Sequence, residues 1–325
     1  MSNVTPRLKS ADFMADNLVN YLSAASMLIL CIIFTAINSN FLSAFNIRSI
    51  LTDIAPLLSM ACGVTFVLYL GSIDLSLGAV CSCSVVLVTL LLQKIGIWAY
   101  AVVIIFGITA GFLNGYAYVR LKVPSFIVTL CASGIWQSMA YLLSGGAPLP
   151  MPPKIWGMVN WGEFSIGFVP LLFILGVILV TVLFVFQSKL TTGRAMFAVG
   201  ANEKAARLAG LNIDMAKMVA FVFSGFGSAM AGILFAVKLK SGIPTVGEPY
   251  TLMAIASAAL GGTSVSGGSG SVLKTILGVS LVTVIQNGLT IAAVDAFWQK
   301  IIFGILVLFA VYMTADRSGR DIIVK

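Results

Sequence analysis

Ten apolar runs fill most of this chain, near residues 22–41, 49–70, 75–92, 97–119, 125–144, 167–187, 218–237, 250–262, 272–292 and 298–314. About 20 helical residues cross the hydrocarbon of a bilayer. Backbone amides find no water there, so the helix, which satisfies its own hydrogen bonds, is the expected spanning form. Charged residues are 9% of the chain, against roughly 25% in soluble domains. Hydrophobic residues are 59%, more than a water-soluble fold of this length could bury. The expected fold is therefore all-α: a polytopic integral membrane protein forming a single transmembrane domain over residues 1–325. The eighth run is short and rich in Ala and Gly, and reads as a half-helix or re-entrant element. The third is marginal. About ten transmembrane helices are expected, or eight if neither of these crosses fully.

Charge gives the orientation. Residues 1–20 are polar and carry Arg7 and Lys9, so the first run reads as a retained helix following a cytoplasmic N-terminal segment, not as a cleavable signal. Crossing ten times from there leaves six of the 19 basic residues outside: Arg48, Lys94, Lys154, Lys238, Lys240 and Lys300. The other 13 fall on the side of residues 188–217, as the positive-inside rule requires of a cytoplasmic face. Both termini are then cytoplasmic, on either span count. Residues 145–166 lie outside, where Trp156 and Trp161 suit an interface. The net charge of +8 follows from this bias and does not call for nucleic acid.

Several chemistries are excluded. The chain has no histidine, which removes His metal sites, Ser-His-Asp triads and His proton relays. The five cysteines (Cys31, Cys62, Cys81, Cys83 and Cys131) sit in apolar stretches and read as free, buried, small hydrophobes. Gly267–Thr275 superficially resembles a phosphate loop, but Leu273 precedes Lys274 where the motif needs Gly. No metal, cofactor or catalytic residue is expected, and any ATP-driven transport needs a nucleotide site on another polypeptide. Ionisable residues within the runs are few. Asp53, Asp74 and Glu248 have no partner at helical spacing, whereas an ion-coupled carrier often relies on such groups near the midplane. Uncharged polar groups are present: Asn114, Trp136, Gln137, Tyr141, Gln286 and Asn287. They could line a path for a neutral, hydroxylated solute, or simply bond helix to helix.

Small residues mark close packing. Gly107, Gly111 and Gly115 form one stripe; Ser224, Ser228 and Gly232, with Gly225 and Ala229 beside them, form another. Each can pack within the bundle or against another subunit. A weak internal echo pairs Leu70–Gly78 with Leu260–Gly268, two Gly/Ser-rich breaks at helix ends, and suggests an internal pseudo-repeat. Asp74, Gly262 and Gly268 in these breaks are candidate gate or hinge residues.

The polar segment 188–217 is the most informative. Asn202–Gly210 reads as a short helix with Asn202 as N-cap and Gly210 as its stop. Ala205, Ala206 and Ala209 leave little bulk, so another surface could come close, with Glu203, Lys204 and Arg207 setting register. The alternative is an ordinary solvated loop helix.

These residues together resemble the membrane permease subunits of bacterial ATP-binding-cassette importers for monosaccharides. The resemblance runs from about residue 40 to 314. It rests on Gly71–Gly78, Val123–Leu130, Gly193-Arg194, Ala198–Leu211, Ala259–Ser271, Gln286–Leu289 and Phe297–Gln299, in family order. Ser72 and Ala201 replace glycines usual in the family. The resemblance implies a homodimer, or a pairing with a similar permease, around a central path in the lipid membrane. It implies a cytoplasmic ATPase subunit and a periplasmic or surface sugar-binding protein. It also implies that Asn202, Glu203, Ala205, Ala206, Arg207 and Gly210 touch the ATPase, with Gly193 and Arg194 in support. The expected function is ATP-driven import of a monosaccharide. The rival is an ion-gradient-driven carrier of a small hydroxylated solute.

Overall fold

The computed structural model describes residues 25–314. The predicted cytoplasmic segment 1–20 and the basic residues Arg317, Arg320 and Lys325 lie outside the described residues. Among the described residues, seven helices are long and apolar enough to cross a membrane, and three shorter apolar helices accompany them. In chain order the helices are α1 (Ala25–Ile37), α2 (Ala44–Tyr69), α3 (Leu77–Ile95), α4 (Trp98–Leu121), α5 (Ser125–Ser144), α6 (Leu171–Lys189), α7 (Thr191–Ala201), α8 (Glu203–Leu208), α9 (Ile213–Leu239), α10 (Tyr250–Leu260), α11 (Val272–Ile291) and α12 (Ala296–Thr314). Each predicted run meets one helix. The two helices left over, α7 and α8, both lie in segment 188–217. Strand is confined to two short antiparallel pairs, β1 (Leu149–Pro150) with β4 (Ser241–Gly242) and β2 (Ser165–Ile166) with β3 (Val169–Pro170).

Contacts between distant residues define two ends of the bundle. At one, Lys238 of α9 pairs with Asp53 of α2, and Arg48 donates to Ser165 Oγ at 2.9 Å. At the other, Val272 N, opening α11, donates to Gln187 Oε1 of α6 at 2.9 Å, and α7 sits beside the end of α2 with α8 following it. We refer to these as the Arg48 end and the Asn202 end.

The chain at both doubtful runs passes from end to end only with the help of non-helical residues, and the eighth is the half-length helix its sequence suggested. The third is a 19-residue helix, so its marginal reading is corrected. Its first turn begins partway through the bundle, and the non-helical residues 70–76 supply the remaining length. The eighth run forms an 11-residue helix, only ~16 Å long. The approach to it is a series of turns. Gly242 lies against Thr89, and Gly247 against Gly78 and Ser82 lower on α3. The chain thus leaves α9 at the Arg48 end and reaches Gly261, beside Lys274 and Thr275, at the Asn202 end.

Helix α9 is the axis of the packing. Gly107, Gly111 and Gly115 of α4 lie against Ala229 and Gly225, Phe221, and Met218 of α9 respectively, and Gly225 returns the contact onto Gly107 and Gly111. The α4 stripe is therefore half of an intrachain joint whose other half includes Gly225 and Ala229 of α9, while Ser224 and Gly232 turn to other helices. On its other faces α9 seats Gly227 on Ser59 and Gly63 of α2, and Gly232 on Cys81 and Ser84 of α3. Where backbones approach this closely, van der Waals contact and weak backbone interactions replace the hydrophobic drive that lipid removes. Of the five free cysteines, Cys62, Cys81 and Cys83 are buried as expected. Cys131 is exposed on α5 and Cys31 half-buried on α1, which corrects that expectation. An apolar run does not say which of its faces turns inward.

Candidate coupling and gating site

A six-residue helix is too short to hold itself, so α8 depends on its ends. Asn202 caps it by accepting from Ala205 N at 3.0 Å. At the other end Leu211 N donates to the Ala206 carbonyl at 3.1 Å and Gly210 N to the Arg207 carbonyl at 3.0 Å. This paired closure needs a left-handed residue, and Gly210 supplies it at φ 77°. No atom lies within 4 Å of where a Gly210 Cβ would be, so the requirement is conformational and not steric. Ala206 faces the core and is buried. Ala205, Arg207 and Gly210 are exposed.

Glu203 behaves differently from the expectation of a register group for a partner. Its carboxylate meets Lys217 Nζ at 3.1 Å and Arg207 at 3.6 Å. Lys217 also lies over the Tyr118 ring, 5.0 Å from its centroid. Glu203 thus fastens α8 to α9 and α4. The residue that sequence reasoning missed is Leu208, 91% exposed at the tip of α8. Its signal was there: a large apolar side chain in the most polar segment of the chain.

Helix α7 joins this tip to the two glycine breaks. Gly193 is buried against Phe186 and Gln187 at the turn from α6, and Arg194 is exposed. At the far end of α7, Gly200 abuts the Tyr69 carbonyl and Gly268 N, and a Cβ there would collide with both. Gly268 N itself donates to the Tyr69 carbonyl at 2.9 Å, and Ala201 packs on Gly268. Gly71 lies against Ser266 and Gly267. The echoed breaks are therefore in contact with each other, and α7 is wedged against their junction. Gly262 stands apart, with nothing within 4 Å of where its Cβ would be.

The first break is held by side chains in place of a backbone ladder. Ile73 N donates to Ser125 Oγ at 3.1 Å and Leu75 N to Thr129 Oγ1 at 3.0 Å. Asp74 accepts from Ser76 N at 2.9 Å, Ser76 Oγ at 2.6 Å and Ser224 Oγ at 2.6 Å. Asn114 Nδ2 donates to Ser76 Oγ at 2.7 Å. All four of these side chains are buried. Asp74 and Asn114, both candidate pathway residues, thus meet in one dry network that ties the break to α4 and α9. Such satisfaction is what makes a non-helical stretch tolerable at membrane depth.

The remaining polar candidates are separated. Asn287 of α11 and Asn46 of α2 exchange two amide hydrogen bonds, of 2.8 and 2.9 Å. Gln286 is half-buried on α11. Gln137 of α5 donates to the Pro244 carbonyl at 2.7 Å, before α10. Among the described residues no cluster of three or more Cys, Asp or Glu side chains could hold a metal ion.

A family profile described as the permease component of branched-chain amino acid transport systems matches residues 46–311. The chain belongs to this permease family. Several of its curated relatives are sugar permeases. The ribose import permease protein of Bacillus subtilis is 33% identical, over 90% of this chain and 92% of that one. The L-arabinose transport system permease protein of Escherichia coli is 31% identical, over 88% of this chain and 87% of its own length. Among solved structures, an ABC transporter described as metal-chelate type, in an inward-facing conformation, aligns with a TM-score of 0.50 at 14% identity, covering 90% of this chain and 99% of that one. At that identity the likeness is one of fold. By its family and its relatives the chain is a polytopic permease of the ABC importer class.

Proposed function

We propose that this permease is the membrane subunit of an ATP-driven, binding-protein-dependent importer that carries a monosaccharide across the bacterial inner membrane. The relatives that cover most of the chain are ribose and arabinose permeases, which supports the substrate class. The contact of Gly200 with Tyr69 and Gly268 carries the mechanical part of the reading. In it, a partner ATPase docks on the exposed surface of Ala205, Arg207, Leu208 and Gly210, with Arg194 at its edge. Asn202 and Glu203 keep α8 in position. Movement of α8 passes along α7 to the paired breaks, because the Gly200 joint leaves no slack. A break without regular backbone bonds bends more readily than a helix, and Gly262 has free space into which to move.

The Asn202 end is then cytoplasmic and the Arg48 end faces the sugar-binding protein. Residues 1–20 and both termini lie on the cytoplasmic side, residues 188–217 form the coupling loop, and residues 1–325 work as one transmembrane domain. A second permease copy, the same chain or a similar one, completes the path. The chain performs no covalent chemistry and needs no cofactor, since ATP is hydrolysed on its partner.

The test is reconstitution in liposomes. The permease with ATPase and binding protein is expected to accumulate sugar only when ATP is present on the Asn202 side. Accumulation by the permease alone, abolished by an ionophore, would instead establish the ion-gradient carrier.

A further inference from the structure

The network around Asp74 is closed and dry, so it offers a sugar nothing to hold. A second polar group, on α5 and the turns before α10, is open. Tyr141 OH donates to Glu248 Oε1 at 3.0 Å, and both residues are exposed. One turn along α5, Gln137 holds the Pro244 carbonyl through its nitrogen. Its Oε1 is buried without a hydrogen-bond partner, as is the indole nitrogen of Trp136 next to it.

The depth of this group is what makes it informative. Gly247, beside Glu248, packs on Gly78, Cys81 and Ser82 of α3, and Ala140, beside Tyr141, packs with Cys83 and Val86 of the same helix. Helix α3 continues to Ile95 at the Arg48 end, some nine to 17 residues beyond these contacts, or roughly 14–26 Å. In the other direction, Asn114, level with Ser76, is seven residues from the end of α4 at Leu121, or about 10 Å. The group therefore sits near mid-depth. None of the ion pairs among the described residues includes Glu248. An exposed carboxylate at that depth cannot face lipid without a large penalty, and such residues in membrane proteins turn to a water-filled cavity or an interior.

We propose that Tyr141 and Glu248, with Gln137 positioning the turn beside them, form a contact site for sugar hydroxyl groups on the translocation path. This rests on the importer reading above and names the residues that would meet its cargo. The chemistry fits a polyol. A carboxylate accepts from two neighbouring hydroxyls, and the Tyr141 hydroxyl can donate or accept. Gln137, its oxygen buried, holds the Pro244 carbonyl and so fixes the turn that carries Glu248. No cationic group contributes, which suits a neutral ligand. Few contacts on one open face also give the weak, reversible hold that a path requires, since cargo must leave as readily as it enters.

The assembled importer tests this in proteoliposomes, with D-ribose and L-arabinose as probes at saturating loaded binding protein. Y141F combined with E248Q is expected to lower the sugar moved per ATP hydrolysed by roughly tenfold, from the loss of a charge-assisted pair. A 2-deoxy pentose is expected to be moved less efficiently than ribose by the unaltered permease, and the double variant to lose that discrimination. Unchanged coupling and discrimination would overturn the proposal. So would loss of the second permease copy on size-exclusion chromatography, which would make Glu248 a subunit contact. In a second arm, Glu248→Cys in a Cys131→Ser background is expected to react with a membrane-impermeant thiol reagent and to be shielded by ribose in the complex. An unreactive thiol overturns the proposal. If the unaltered complex moves neither pentose, the importer reading fails in its substrate, and the thiol arm still decides whether position 248 meets water.

Discussion

Gly200 of α7 lies against the carbonyl oxygen of Tyr69, the last residue of α2, with no space for a side chain between them. Tyr69 is fully buried and its ring stacks at 4.2 Å between centroids on Phe197, one turn back along α7. Two contacts, one backbone and one aromatic, therefore make α7 and the end of α2 a single block. A bulkier residue at 200 must move that block, because the colliding atom is main chain and cannot rotate away.

Gly200→Val is therefore expected to destabilise the permease by about 1–3 kcal/mol, the usual cost of overpacking. Transport should fall further than the loss of folded protein explains. Thermal unfolding in detergent and ATP-driven uptake, measured on the same preparation, check both parts.

The Glu203–Lys217 pair tests anchoring apart from stability. Both side chains are partly exposed, so the pair contributes only ~0.5 kcal/mol. Glu203→Arg should leave the melting temperature nearly unchanged yet weaken ATPase retention, because α8 loses its fixed position. Combining it with Lys217→Glu should recover part of the retention. Co-purification of the ATPase with each variant is the measurement.

Leu208→Asp and Gly210→Trp should both reduce ATPase retention while insertion is preserved. Their stability effects should differ. Leu208 is 91% exposed, so its replacement should not shift the melting temperature. Gly210 is at φ 77°, and a side chain there strains the helix stop by about 1 kcal/mol.

Asp74→Ala strands Ser76 N, Ser76 Oγ and Ser224 Oγ in a dry site. Each orphaned buried group costs about 1–3 kcal/mol, so this variant should unfold at a clearly lower temperature than Ser224→Ala, which removes one bond. Equal melting temperatures for the two would show that the network does not secure the break.

Asn46 and Asn287 satisfy each other. Asn287→Leu alone should destabilise more than the Asn46→Leu, Asn287→Leu double variant, because the single change leaves the buried Asn46 oxygen without its partner while the double removes both polar groups. A double-mutant cycle on thermal unfolding measures the coupling.

Much of the fold was legible because its rule is simple: lipid demands helices, and long apolar runs announce them. The ends of α8 were legible too, since Asn202 and Gly210 are local chemistry. What lay beyond reach was partnership across the bundle. Asp53 looks alone in sequence, yet it pairs with Lys238, 185 residues away. Glu203 looks like a group offered to a partner, yet Lys217 occupies it. The two small-residue stripes could equally have faced another chain until one was seen against Gly225 and Ala229 and the other against α2 and α3. Leu208 and Gly200 were passed over because an isolated leucine and one more glycine carry no periodic signal, and their weight comes only from where they are placed.

The open polar face of α5 and the α7 wedge occupy different parts of the molecule. Cargo preference and motor attachment can therefore drift independently. On the reading proposed above, a few side chains near Tyr141 could change to suit a new nutrient while the surface of α8 stayed as it is.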